Sequence, residues 1–157
     1  MDLSKLVKGL GFIVLSGILL LSACNDYDGK EISSYYLPDS VPKVVTYYKY
    51  VGNKKVVVKE ERYYINGQLE QEGNYDDSGN MHGKWTYYFD DGKKQREINY
   101  EHGKKNGEFI EYYRSGEKMY IAHYQNDIAN GKWIVFDEHG KKISETEYKN
   151  GQPVSGK

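Results

Sequence analysis

Residues 83–154 divide into three lines of equal length: GKWTYYFDDGKKQREINYEHGKKN (83–106), GEFIEYYRSGEKMYIAHYQNDIAN (107–130) and GKWIVFDEHGKKISETEYKNGQPV (131–154). Gly83, Gly107 and Gly131 open them, and Gly92, Gly116, Gly140 and then Tyr100, Tyr124, Tyr148 recur at the same 24-residue period. Independent columns sharing one period mark an internal repeat. Two further columns are aromatic, one holding Trp85, Phe109 and Trp133 and the other Tyr88, Tyr112 and Phe136. Upstream, Tyr63 to Tyr75 around Asn66-Gly67 continues the pattern in degenerate form, as a capping unit does.

Inside each line, Asp91-Gly92, Ser115-Gly116 and His139-Gly140 separate runs rich in aromatic and β-branched residues, the pattern of a β-hairpin with a two-residue turn. Such turns make the numbers of opposed residues sum to 183, 231 and 279 in the three units. Gly83 then faces Tyr100, Gly107 faces Tyr124 and Gly131 faces Tyr148, so each bare glycine is expected to lie under a tyrosine ring. Asn106-Gly107 and Asn130-Gly131 are expected to supply the return turns. The fold class that follows is all-β: an elongated antiparallel meander of repeated hairpins advancing about 9.5 Å per hairpin.

Strand alternation sends Trp85 and Tyr87 to one face and Thr86 and Tyr88 to the other, where Ile110, Tyr112, Ile134 and Phe136 join them. Both faces carry apolar area, and the body shows no helical period to cover either. One face is therefore expected to be wet, aromatic and available.

Composition agrees. Aromatic residues make up 15% of the 157-residue chain, with 17 tyrosines, 17 glycines and only 3 prolines, a mixture that favours strands and tight turns over helical bundles. A formal charge of −1 removes the electrostatic basis for nucleic-acid binding.

The chain begins with Lys5 and Lys8, then an uncharged run from Gly9 to Ala23 that ends at Cys24. A cationic start and a short apolar stretch make a cleavable export signal, and about 22 Å of helix is too short for a ~30 Å hydrocarbon core. Leu21-Ser22-Ala23-Cys24 resembles the lipobox of bacterial lipoproteins, which implies a diacylglycerol on Cys24. Cys24 is the only cysteine, so no disulfide framework competes for its thiol. Two or more acyl chains give stable anchoring where one is marginal. The expected organisation is a lipoprotein signal at 1–23, the lipidated cysteine and a flexible tether at 24–42, and a repeat domain at 43–157.

The pattern Gly-x-Trp/Phe-x-x-Tyr/Phe-x-x-x-Gly, followed eight residues later by Tyr and then Asn-Gly, resembles the MORN-repeat variant of bacterial proteins over residues 60–157. The resemblance implies an elongated hairpin array that binds proteins, and in several bacterial members an antitoxin or immunity role toward a toxin. It brings no catalytic residues. A Gly-x-Ser-x-Gly elbow and a phosphate loop are both lacking. Glu60-Glu61 and Asp76-Asp77 diverge to opposite faces of a strand, and three of the four histidines precede glycine, where left-handed turn geometry suits them.

The expected function is thus a lipid-anchored, non-catalytic protein-binding module of a bacterial envelope, facing the periplasm or the exterior. An immunity protein and a membrane scaffold are the alternatives. The candidate contact residues are Tyr88, Tyr112, Phe136, Trp85, Phe109 and Trp133. No cofactor, metal, small-molecule substrate or nucleic acid is expected; the partners are the membrane, through Cys24, and a protein.

Overall fold

A computed structural model describes residues 27–36 and 41–154. The signal segment and Cys24 lie outside the described residues. One antiparallel sheet is formed by β1 (Gly29–Tyr36), β2 (Val41–Val51), β3 (Lys54–Tyr63), β4 (Leu69–Tyr75), β5 (Met81–Tyr88) and β6 (Lys94–Glu101). It continues through β7 (Lys104–Tyr112), β8 (Lys118–Gln125), β9 (Ile128–Ala129), β10 (Gly131–Phe136), β11 (Lys142–Lys149) and β12 (Gln152–Pro153). Strands follow one another in chain order, with the short β9 pairing β8 beside the main path. At roughly 4.8 Å per strand the sheet is about 50 Å wide. The expected all-β meander is what the chain forms, and it remains open among the described residues.

Part of the segment expected as a tether up to residue 42 is drawn into the sheet. Residues 29–36 are a strand, with Gly29 opposite Tyr48 and Ile32 opposite Val45. Ile32, Tyr35 and Tyr36 give this segment enough apolar and aromatic surface to extend the sheet, a signal outweighed in the sequence by its polar neighbours.

The hairpin register matches expectation: Gly83 pairs Tyr100 and Trp85 pairs Ile98, Gly107 pairs Tyr124 and Phe109 pairs Ala122, and Gly131 pairs Tyr148 and Trp133 pairs Thr146. The turns differ. Phe89 N–H donates to Lys93 C=O at 2.8 Å and Gly92 N–H to Phe89 C=O at 2.9 Å, which closes a loop of three residues, 90–92, with Gly92 at φ 81°. This is a type I turn ending in a left-handed residue, and Gly116 and Gly140 repeat it. One residue then bulges out of the following strand, at Gln95, Met119 and Ile143, where the pairing skips a position. A loop one residue longer and a bulge of one residue restore the register that a two-residue turn would have set.

The return turns lie four residues before the expected Asn-Gly pairs. His102-Gly103, Asn126-Asp127 and Asn150-Gly151 all have positive φ at both positions, the geometry of a type I′ turn. Each turn binds the preceding unit through main chain: Gly103 N–H donates to Met81 C=O at 2.9 Å, Asp127 to Lys105 at 2.9 Å and Gly151 to Ala129 at 2.8 Å. The opposite tips are tied by side chains, Tyr64 Oη donating to Tyr88 C=O at 2.8 Å and Tyr113 Oη to Phe136 C=O at 2.9 Å.

Gly83, Gly107 and Gly131 stand opposite their tyrosines, but not beneath the rings. A Cβ added at Gly83 would meet open space, at Gly107 the Asn99 side chain and at Gly131 the His123 side chain. Their φ values of 70°, 103° and 112° are what demand glycine, because the strand kinks there. A ring does cover Gly73, where a Cβ would fall 2.1 Å from the Trp85 indole.

Candidate binding surface

Two faces of one sheet supply all the candidate contact residues. On the first, Trp85 is 1% exposed; its indole Nε1 donates to Asn74 C=O at 2.9 Å and its ring meets Tyr75 edge-on at 5.3 Å. Ile98, Phe109 and Ala122 form the buried cluster, against which Tyr87, Tyr100, Tyr120, Tyr124 and Trp133 pack. Trp133 touches Tyr148 at 4.3 Å between ring centroids and Tyr120 edge-on at 5.6 Å. Trp85 and Phe109 are therefore held in the core, whereas Trp133 is half-buried.

The second face carries a row of directly opposed residues. Its N-terminal half is acidic, with Glu61 opposite Glu72, Glu72 opposite Thr86 and Thr86 opposite Glu97. Its C-terminal half is apolar, passing from Glu97 to Ile110, Ile121 and Ile134. Glu97 is 7% exposed and Glu61 and Glu72 are half-buried, so the carboxylates need partners. Tyrosines provide them: Tyr47 and Tyr63 hydroxyls donate to Glu61 at 2.7 Å, Tyr88 to Glu72 at 2.9 Å and Tyr112 to Glu97 at 2.6 Å. At the next seam the same columns hold Phe136 of the third unit and Ile121 of the second, so hydroxyl and carboxylate are lost together.

Charge along this row is fixed by those bonds. Burial acts to raise the Glu97 carboxyl, yet the bonds from Lys94 and Tyr112 and the charge of Lys84 outweigh it and bring it down to about 2. Burial likewise opposes ionisation of Glu61, but Lys59, Tyr47 and Tyr63 hold that carboxyl below its ordinary value. Lys59 sits between Glu61 and Glu72 at 2.8 and 3.0 Å. The Tyr88 hydroxyl is pushed up to about 12, first by burial and then by its bond to Glu72. Tyr88, Tyr112 and Phe136 are all half-buried, as are Ile121 and Ile134, while Ile110 is 6% exposed.

The Glu61–Glu72 pair arises from register across two strands, which residue adjacency in the sequence did not reveal. A second grouping was equally hidden: Asp76, His82 and His102 converge, with one ligating atom of each within 4.8 Å of the others. His82 lies on β5 and His102 in the β6–β7 turn, and only the pairing of the strands brings them together. Among the described residues no helix is long and apolar enough to cross a membrane.

A family model described as the MORN repeat variant matches residues 57–77, 81–102, 105–126 and 129–150, more than half of the chain. No curated protein matches it.

Proposed function

Because the chain belongs to the MORN repeat variant family, we propose that it is a non-catalytic protein-binding module, held in a bacterial envelope by lipid on Cys24. Repeats of this family generally serve as protein- or membrane-binding modules. The observation that carries the reading is a twelve-strand sheet that stays open among the described residues, on whose second face half-buried Tyr88, Tyr112, Phe136, Ile121 and Ile134 flank the buried Ile110. Tyrosine offers large contact area and a polar tip with little rotamer entropy to lose, which suits a docking surface.

The carboxylates support a structural role over a catalytic one. A glycosidase-type acid needs a raised pKa, and the Glu61 and Glu97 carboxyls are both lowered and tied to tyrosine hydroxyls and lysines. The lipobox resemblance at Leu21–Cys24 supports the anchor, and an array standing on a membrane presents both faces to solvent.

Two measurements test the reading. Full-length wild type and a Tyr88→Ser/Tyr112→Ser variant are used to capture partners from the native envelope, with loss of a discrete partner in the variant expected; identical capture would refute this face as the contact. Mass spectrometry of the mature chain should find acyl mass on Cys24, and Cys24→Ser should release the protein from membranes. A Cys24→Ser protein that still sediments with membranes would refute the anchor.

A further inference from the structure

We propose that Asp76, His82 and His102 form a binding site for a first-row divalent transition ion, of the zinc or copper kind, at the seam between the first two matched hairpins. Asp76 follows β4, His82 is the second residue of β5, and His102 opens the β6–β7 turn at φ 48°. The two imidazole rings lie 5.5 Å apart at 45°. The Asp76 carboxylate is already fixed: Oδ1 accepts the Ser78 and Asn80 backbone amides at 3.0 and 2.9 Å, the Asn80 side-chain amide donates to both oxygens at 3.3 Å, and Oδ2 lies 2.7 Å from His102 Nδ1. Those amides and His102 also keep it well ionised.

Bonds of about 2.0–2.2 Å to nitrogen and oxygen place tetrahedral donors roughly 3.4 Å apart. The three groups start within 4.8 Å of one another, and both imidazoles are exposed, so the set needs to contract by little more than ~1 Å to reach ligand spacing. Two imidazoles and one carboxylate suit zinc, copper or nickel; calcium takes six to eight oxygens and is excluded on chemistry. Solvent supplies the remaining position.

The sister units argue against a turn requirement as the whole reason for these histidines. The His82 column holds Asn106 and Asn130, and the His102 column holds Asn126 and Asn150 at φ 51° in both cases. The residue after the column tyrosine is Asp76, then Glu101, then Gln125. In the later units amide and acceptor satisfy each other, Asn106 bonding Glu101 and Asn130 bonding Gln125 at 3.1 Å. Asparagine therefore suits both backbone positions in the later units, and histidine replaces it twice at the boundary where Asp76, itself held by Asn80, stands nearby.

The same comparison gives a variant expected to keep the fold. His82→Asn/His102→Asn rewrites the seam as its neighbours are written. Full-length chain is titrated with zinc alone by calorimetry, and with cobalt while visible absorption is followed. Wild type should bind one equivalent, with zinc raising its unfolding midpoint. The double variant should lose at least ten-fold in affinity while keeping its circular dichroism and its midpoint in EDTA. His123→Ala, whose ring nitrogen faces the Lys132 carbonyl, should bind as wild type does. Equal zinc affinity in wild type and the double variant, or a stoichiometry below one half, would overturn the proposal.

Discussion

Gly73→Ala is a change of one methyl group whose cost is set by a single neighbour. The added carbon would lie 2.1, 2.2 and 2.4 Å from Cδ2, Cε2 and Cγ of Trp85, well inside contact distance, and φ at Gly73 is not left-handed. The indole must therefore move. It is 1% exposed and bonded to Asn74 C=O, so displacement combines overpacking of about 1–3 kcal/mol with loss of a hydrogen bond of about 1 kcal/mol. A destabilisation of about 3 kcal/mol is expected. Urea unfolding followed by tryptophan fluorescence measures it. The same substitution in a Trp85→Leu background should cost less than 1 kcal/mol, since the clashing ring is gone; the coupling between the sites is the quantity of interest. Gly83→Ala serves as the contrast, because its Cβ meets nothing but φ is 70°, so its cost of about 1–2 kcal/mol should be independent of position 85. Equal losses for Gly73→Ala in both backgrounds would refute the steric account.

Glu97 titrates near 2 when folded, below its ordinary value of 4.5; the folded state resists its protonation, so its contribution is full above about pH 4.5 and fades as pH falls toward 2. Glu97→Gln should flatten acid destabilisation in that window, read as the difference from wild type in urea midpoints, and Tyr112→Phe should weaken the protein by about 1.5–3 kcal/mol through loss of a charge-assisted bond. Ile121→Glu should be destabilising, and less so by about 1 kcal/mol when Phe136→Tyr restores the hydroxyl partner seen at Tyr112–Glu97; equal costs in the two backgrounds would count against a paired column. Acrylamide should quench Trp133 and leave Trp85 dark to it, so that Trp133→Phe removes most of the quenchable emission, given the 1% exposure of Trp85.

Much of the fold was legible because period and turn chemistry are local. Glycine and tyrosine columns located the hairpins, and the register followed even though the turns proved one residue longer; the bulges at Gln95, Met119 and Ile143 compensated. The reason for the glycines was not legible, since a φ of 103° at Gly107 depends on a slip between hairpins that no single unit encodes. His102-Gly103 outcompeted Asn106-Gly107 as the return turn because only the former lets Gly103 reach Met81. The candidate aromatics separated by burial: Trp85 and Phe109 went inside, while Tyr88, Tyr112, Phe136 and Trp133 stayed half-buried. Side-chain groupings such as Glu61–Glu72 and Asp76–His82–His102 depend on neighbours 6 to 26 positions away, visible only once strands are paired.

The links from Gly103 to Met81, Asp127 to Lys105 and Gly151 to Ala129 join amide to carbonyl, so the units adhere without consulting the identity of the residues that meet. Any residue tolerant of a left-handed backbone can occupy the preceding position at little energetic expense. Such a joint is a neutral plot in the molecule, where new ligands can be sown hairpin by hairpin while the array keeps its pitch.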